Sequence, residues 1–351
     1  MTDQEFEDKR RSLLVRLQLA LELEWATLPP YLVALLSINR DVNREPAELI
    51  RSVAMEEMLH FALVANVMNA VGGNPVVGRA NCPAYPLKMT FEGRPFADRT
   101  FPINLERFSK ASMATFMKIE QPGPIAVDKA LLNVVLDVPA PTIGEFYAEI
   151  IELLEELDTV RHGELFIGNQ ARQLGGDFFW GGGGALHLVT DLNSAKLALD
   201  TVVEQGEGAW PWSPERLAAA AGEPLEMGHY YRFSEIFFER HFSKHDDPGK
   251  PPTGAPMRVD YAAVSPIKQN ARASDFPEGS RAAELNRIFN IRYTMMLRQL
   301  GQAINGTPDA LYTAIMNGMH GMTSIARELM QTPMPGSTSG ETACPTFEWV
   351  D

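Results

Sequence analysis

Cysteine is scarce in this sequence, because its 351 residues include only Cys82 and Cys344. Two thiols exclude a disulfide framework and disfavour a metal site built from thiolates. The acidic first residues also lack the basic and apolar regions of a secretory signal peptide. A reducing cytoplasm is the compartment that fits both absences.

Positive charge and long apolar runs are lacking as well. Lys and Arg number 31 against 45 Asp and Glu, which gives a formal net charge of −14. Nucleic acids and anionic lipid surfaces select basic patches, so we expect neither as a partner. No uninterrupted apolar stretch approaches the length needed to span a bilayer, and we predict no membrane segment. Most carboxylates are expected on a solvated surface, and any that are buried need a cation.

Helical periodicity dominates what the sequence does contain. Leu13, Leu17, Leu21 and Leu28 recur at helical spacing and predict a helix over residues 4–38, with Pro29-Pro30 forcing a kink or a restart. A second helix is predicted from about residue 46 to the Gly72-Gly73 pair. Further helices are predicted over 142–158, 191–206, 226–241, 280–302 and 308–330.

The connections between these helices predict the domain organisation. Residues 74–140 are rich in Pro, Gly and β-branched residues, which indicates a long crossover with a small strand pair and one short helix. Thr142 and Glu145 form a capping-box pattern where the third helix begins. We predict an all-α fold in which residues 1–245 form a four-helix bundle. Residues 246–351 are predicted to add a Pro-rich wrap and two helices packed on the same domain.

The second helix carries the most informative chemistry. Glu57 and His60 lie one turn apart in an apolar stripe formed by Ile50, Val53, Val64, Val67 and Val71. A carboxylate in such a stripe costs several kcal/mol unless it is paired or bound to a metal ion. A salt-bridged core glutamate beside a hydrogen-bonded histidine is the alternative explanation for a single Glu-x-x-His match.

The match is repeated along the chain. Glu24 lies in the apolar stripe of the first helix, and Glu226 with His229 forms a second Glu-x-x-His. Bundles that bind two iron or manganese ions use one Glu from each of two helices and a Glu-x-x-His from each of the other two. This sequence can fill each position in that order, which predicts a dinuclear metal site.

Two of the positions stay open between neighbouring glutamates. In the third helix, Glu145 is favoured because it lies at the same height along the bundle as the ligands of the fourth helix. Glu149 is favoured by helical periodicity, which places it nearest the apolar side. At the end of the fourth helix, Glu207 lies between two glycines and closer to the apolar sector than Glu204. If the helix is interrupted there, Glu207 becomes the ligand and Glu226 does not.

Several motifs together resemble the ferritin-like domain of iminophenylpyruvate dimer synthases, which act in bisindole pathways of the violacein and rebeccamycin type. The resemblance spans roughly residues 10–240 and rests on the segments Glu22–Leu32, Ala54–His60, Thr142–Tyr147, Glu204–Gly208 and Gly228–Phe233. It implies a ferritin-like bundle whose metal ligands are Glu24, Glu57, His60, Glu145, Glu207 and His229.

The resemblance and the ligand set lead to one functional hypothesis. Hard carboxylate oxygens with imidazole nitrogens suit iron or manganese, with zinc possible after purification. In this hypothesis Glu57 and Glu207 bridge two ions, and the protein is a non-haem oxidoreductase that acts on a small molecule with dioxygen or peroxide. Tyr31, Tyr147 and Tyr230 are expected either to tune that centre or to serve as core aromatics. The alternative is a non-catalytic metal-binding protein or a structural subunit of a biosynthetic assembly, and a homo-oligomer is compatible with both.

Overall fold

The computed structural model describes residues 1–88, 101–122, 142–178, 183–208, 210–213 and 227–351. Its main helices are α1 (Asp3–Ser37), α2 (Arg44–Ala70), α3 (Lys110–Ile119), α4 (Ile143–Val160), α5 (Leu192–Gln205), α6 (His229–Phe238), α7 (Arg281–Ala303), α8 (Ala310–Thr313) and α9 (Gly321–Gln331). A π-helical segment, Ala314–His320, joins α8 to α9. The strand pair consists of β1 (Leu87–Lys88) and β2 (Pro102–Ile103), which are antiparallel with Leu87 opposite Ile103.

Four of these helices close into a bundle. α1 packs against α2 and α4, and α5 completes the ring by contacting both α2 and α4. α6 follows α5 in the chain and packs between α2 and the short helix α3 of the crossover. The apolar sides of these helices form one continuous core, and the site described below lies within it.

α1 is a single helix in spite of the two prolines inside it. Pro30 has no N–H to donate to the carbonyl of Ala26 one turn earlier. Tyr85, from the crossover, donates its hydroxyl to that carbonyl at 2.7 Å and replaces the missing hydrogen bond. The predicted restart at Pro29-Pro30 therefore does not occur, because a side chain from elsewhere in the fold satisfies the freed acceptor.

α1 also bears on the prediction of no membrane segment. It is long and apolar enough to cross a membrane by length and composition, although charged and polar residues interrupt its apolar runs. In the fold, 67% of its most apolar window is buried inside the protein. A core helix of a globular bundle meets the same criterion, and here α1 is the helix around which α2 and α4 pack.

The remaining elements agree closely with the sequence pattern where the structure describes them. Thr142 caps α4, and the reciprocal hydrogen bonds of Thr142 and Glu145 form the expected capping box. The crossover contains the short strand pair and the helix α3, which begins at a second cap, Ser109. The wrap and the C-terminal helices contact the bundle at Trp25, whose indole N–H donates to the hydroxyl of Tyr293 at 2.8 Å.

Candidate metal centre

Two groups of acidic and imidazole side chains meet in the bundle core and share one carboxylate. Glu24, Glu57 and His60 form the first group, and Glu57, Glu120 and His229 form the second. Within each group, one potential ligand atom per residue lies within 4.8 Å of the others. All five residues are buried, with at most 4% of each residue exposed.

Regular helix geometry accounts for the first group. Glu57 and His60 lie one turn apart on α2 and therefore point to the same side. Glu24 lies on α1, which runs against α2. The Nδ1 atom of His60 is 3.4 Å from Glu24 Oε2 and 3.7 Å from Glu57 Oε1.

A glycine contact positions the second group. Gly208 and Gly228 approach so closely that a Cβ atom on Gly228 would lie 2.5 Å from the Cα of Gly208. This approach lets the N–H of His229 donate to the carbonyl of Gly206 at 3.0 Å, and α6 begins at His229. The Nδ1 atom of His229 then lies 2.9 Å from Glu57 Oε1 and 3.5 Å from Glu120 Oε2.

Hydroxyl groups hold the three carboxylates. Tyr147 donates to Glu24, Tyr31 donates to Glu120 and Thr27 donates to Glu57, each at 2.5 Å. Each outer carboxylate therefore has its own tyrosine, and the shared carboxylate has a threonine. The third tyrosine of the sequence hypothesis, Tyr230, packs its ring against Tyr231 at 5.3 Å.

The two imidazole rings are stacked with their centroids 5.4 Å apart, and both turn Nδ1 toward the carboxylates. On the far side of the pair, His60 Nε2 lies 2.9 Å from the amide oxygen of Gln205. His229 Nε2 lies 3.1 Å from Glu56 Oε2, and Glu56 is paired with the guanidinium of Arg232 at 2.7 Å.

The charges in this core perturb each other strongly. Burial and the neighbouring charge of Glu120 raise the pKa of Glu57 to about 7. Burial lowers the tendency of the imidazoles to ionise, but the adjacent carboxylates outweigh it and raise the pKa of both His60 and His229. Burial and nearby carboxylates also raise the pKa of Tyr31 and Tyr147, which keeps both phenols protonated at neutral pH.

These side chains suit a pair of metal ions. With all three carboxylates ionised, as metal binding requires, these side chains carry a net negative charge even if both imidazoles are protonated, and burial makes that charge costly. The Nδ1 atom of His229 is buried and has no hydrogen-bond partner, although it faces two carboxylates. Oxygen and imidazole donors around a shared carboxylate are the ligand set of dinuclear carboxylate bundles. The residues fit such a centre, with Glu57 between the two positions.

The structure brings together four of the six ligands predicted from the sequence: Glu24, Glu57, His60 and His229. Glu145 is exposed and accepts a hydrogen bond from the backbone N–H of Thr142 at 2.8 Å, so its carboxylate serves the capping box. Its alternative, Glu149, is partly buried and pairs with Arg16 at 3.0 Å.

The glutamates predicted as alternatives near the end of α5, Glu204 and Glu207, are also not members of the two groups. Glu207 is buried, but its carboxylate accepts the N–H of Gly144 at 2.6 Å in the first turn of α4. A helix N-terminus favours a negative charge, which accounts for this placement. Glu204 is exposed in the last turn of α5, and Glu226 lies outside the described residues.

Glu120 occupies a position that the sequence reasoning missed. It follows Met113, Phe116 and Met117 at helical spacing, so it continues the buried side of α3 as the C-cap residue. The same criterion that singled out Glu57, a carboxylate in line with an apolar stripe, identifies it. The rule of one glutamate from each bundle helix drew attention to α4 instead.

Comparisons with known proteins agree with this architecture. A family profile described as Ferritin-like matches residues 17–238. Dichlorochromopyrrolate synthase from Lentzea aerocolonigenes is 28% identical over 329 residues, and 2-imino-3-(indol-3-yl)propanoate dimerase from Chromobacterium violaceum is 26% identical over 319 residues. Each alignment covers 84% of this chain, but the chain spans only 29% and 26% of the two relatives.

A solved structure gives a likeness over nearly the whole chain. The crystal structure of a ferritin-like protein from Caulobacter vibrioides matches with a TM-score of 0.60 and 21% sequence identity. The match covers 94% of this chain and 96% of that one. At this identity the likeness establishes the fold, and the prediction of an all-α bundle of this kind is confirmed.

Proposed function

This chain belongs to the ferritin-like family, and on that premise we propose that it is a dinuclear non-haem oxidoreductase acting on a small molecule. Glu24, Glu57 and His60 would hold one ion, and Glu57, Glu120 and His229 would hold the other. The observation that carries the proposal is that the carboxylate of Glu57 belongs to both groups. Glu120 takes the place that the sequence reasoning gave to Glu145.

The donor atoms favour particular metals. Carboxylate oxygens are hard ligands and imidazole is intermediate, a combination that suits iron or manganese, with zinc as a substitute after purification. Iron or manganese, when bound, would supply the redox chemistry that activates dioxygen or peroxide, whereas zinc has no redox chemistry of its own. Neither Cys82 nor Cys344 belongs to the two metal-binding groups. The thiol of Cys82 faces the carbonyl of Phe347, and the thiol of Cys344 faces the carbonyl of Pro345.

The protein's own residues provide the orientation and the dry environment. Tyr31 and Tyr147 donate to the two outer carboxylates and so fix one oxygen of each, leaving the other free to bind an ion. The rings of Tyr31, Phe116 and Phe233 pack against one another beside Glu120, edge-on between Tyr31 and Phe116 and tilted in the other two pairs. Burial of this kind excludes water and strengthens every electrostatic interaction inside it.

The substrate class is proposed from the relatives. Both are named for reactions that produce or join small aromatic metabolites, a dichlorochromopyrrolate and an indolyl imino acid. We propose an organic small molecule of secondary metabolism as the substrate of this chain. Cytoplasmic location, a homo-oligomeric state and independence from nucleic acid remain predictions.

Metal analysis and an oxygen-consumption assay test this function together. We expect protein purified from iron- or manganese-supplemented growth to carry close to two ions per chain. Glu57→Gln should lose most of both ions, since it replaces the shared carboxylate with a neutral amide. Glu152→Gln, on the exposed side of α4, is the matched control and should keep both.

The outcomes separate the candidate functions. Consumption of dioxygen or peroxide by the two-ion protein with a small aromatic imine or amine supports the oxidoreductase. Two bound ions with no turnover of either oxidant would point to the non-catalytic metal-binding protein. Protein without bound metal after supplemented growth would overturn both.

A further inference from the structure

The two halves of the centre are alike near the carboxylates and different behind the imidazoles. Each half has a glutamate held by a tyrosine and a histidine with Nδ1 turned inward. Behind His229 stands a carboxylate, Glu56, whereas behind His60 stands a neutral amide, Gln205. Residues that hold the far nitrogen of a metal-binding histidine fix its ring and raise its basicity as a ligand.

The carboxylate behind His229 is itself firmly held. Glu56 is 2% exposed and pairs with Arg232, which is 5% exposed. Arg232 also donates to the hydroxyl of Ser52 at 3.0 Å and to the carbonyl of Met227 at 2.6 Å. Glu56 can therefore accept from His229 Nε2 in one fixed geometry, which makes a charge-assisted hydrogen bond.

The amide behind His60 offers a weaker interaction. Gln205 is the last residue of α5 and is partly buried. Its oxygen faces His60 Nε2, and its NH₂ group donates to the carbonyl of Gly183. A neutral acceptor gives a hydrogen bond of about half the strength of one to a carboxylate.

We propose that the two metal positions are inequivalent and that the position at His229 binds its ion more tightly and fills first. Glu56 is then a positioning residue for the His229 position, and Gln205 has the weaker equivalent role for His60. This inference rests on the proposed dinuclear centre and adds the order in which its positions fill. Removal of such a partner typically lowers metal affinity about 10- to 100-fold.

Stepwise titration of metal-free protein with Co²⁺ tests the proposal, because the visible absorption of Co²⁺ reports the geometry of each site as it fills. We expect two binding steps whose dissociation constants differ about tenfold or more. Glu56→Gln should weaken the tight step about 10- to 100-fold and change the spectrum of the first ion. Glu152→Gln, the exposed control on α4, should leave both steps unchanged.

A reciprocal variant keeps the test independent of how Glu56→Gln folds. Glu56→Gln removes the carboxylate that pairs with the buried guanidinium of Arg232, so this variant can lose stability. Gln205→Glu is nearly isosteric and places a carboxylate behind His60 while leaving Glu56 intact, although it gives up the hydrogen bond from the Gln205 NH₂ group to the carbonyl of Gly183. It should tighten the weak step about tenfold and leave the spectrum of the first ion as in the parent protein.

The results distinguish this inference from the function on which it rests. Two equal binding steps in the parent protein, or a loss confined to the weak step in Glu56→Gln, would overturn the order of filling and leave the dinuclear centre standing. A Gln205→Glu protein that binds Co²⁺ as the parent does would also overturn it. No Co²⁺ binding by the parent protein would overturn both.

Discussion

At the scale of single residues, the centre combines groups that are costly to bury with neighbours that restrain them. Glu24, Glu57 and Glu120 lie in the core, where each receives a hydrogen bond from a neutral hydroxyl. Hydroxyl donors orient a carboxylate but do not neutralise it. The residual charge is the physical reason to expect metal ions, and it has consequences that can be measured without them.

The first consequence is a pH dependence of the metal-free protein. The pKa of Glu57 is raised from 4.5 to about 7 by burial and by Glu120, so folding takes up a proton between these values. Stability should therefore fall as pH rises from about 5 to 7, by an amount on the order of 2 kcal/mol for Glu57 alone. The raised pKa values of His60 and His229 act in the same direction, since their stabilising charge is lost as pH rises through the folded-state values.

Chemical denaturation of chelator-treated protein at several pH values measures this trend. Glu57→Gln should flatten it, because the amide does not titrate, and Glu152→Gln should not. Saturating Mn²⁺ should also oppose the loss at higher pH, since it binds the deprotonated ligands. Metal-free protein that gains stability between pH 5 and 7 would contradict the electrostatic account.

The second consequence separates Glu120 from Glu145. Glu120→Gln should leave about one ion per chain, because only the group that contains His229 uses Glu120, and that group then keeps a single carboxylate, the shared Glu57. Glu145→Ala should keep both ions and cost on the order of 0.5 kcal/mol through the loss of the capping box at α4. Metal analysis and thermal unfolding of both variants measure these effects. If Glu145→Ala loses an ion and Glu120→Gln does not, Glu145 is the ligand, as the sequence predicted.

At the scale of elements, periodicity predicted most of the helices, and the discrepancies have local causes. The ligands on α1, α2 and α6 can be predicted from the sequence, because a carboxylate or an imidazole in an otherwise apolar helical stripe stands out. Glu120 was missed because α3 is only 10 residues long and lies in the crossover. The continuity of α1 through Pro29 and Pro30 depends on Tyr85, a contact that sequence spacing cannot contain.

The connection between α4 and α5 carries an element-scale prediction. Gly183 has a φ of +77°, and a Cβ atom there would lie 2.6 Å from Cγ of Glu56. Its carbonyl also accepts from Gln205, so this one residue supports the groups behind both histidines. Gly183→Ala should cost about 1–3 kcal/mol and weaken the binding of both ions.

Gly175 in the same connection provides the control for that variant. A Cβ atom at Gly175 meets nothing within 4 Å, and its φ is not in the left-handed region. Gly175→Ala should therefore leave unfolding and metal binding close to those of the parent protein. Equal effects of the two substitutions on Co²⁺ affinity would show that the connection does not support the centre.

At the scale of the whole molecule, residues 246–351 share the apolar core of the bundle and also form buried hydrogen bonds with it. Trp25, next to Glu24 on α1, donates to Tyr293 on α7, and Asn69 on α2 donates to the carbonyl of Ile304 at 2.7 Å. Periodicity predicted α7 and α9 but contained no information about which bundle helix they meet, since long-range partners are set by shape rather than by spacing.

These contacts predict one cooperative unfolding transition for the chain. Tyr293→Phe leaves the buried indole N–H of Trp25 without its acceptor and should destabilise the protein by about 1–3 kcal/mol. Calorimetry should show the whole transition shifting to lower temperature together. Two separated transitions, with only one of them shifted, would mean that residues 246–351 fold as an independent unit.

The most direct measurement is crystallographic: anomalous diffraction at the manganese or iron edge from protein loaded with that metal. We expect two peaks in the bundle core, with the carboxylate of Glu57 between them, His60 beside one ion and His229 beside the other. A single peak, or two peaks bound by Glu145 or Glu207 without Glu57, would contradict this arrangement.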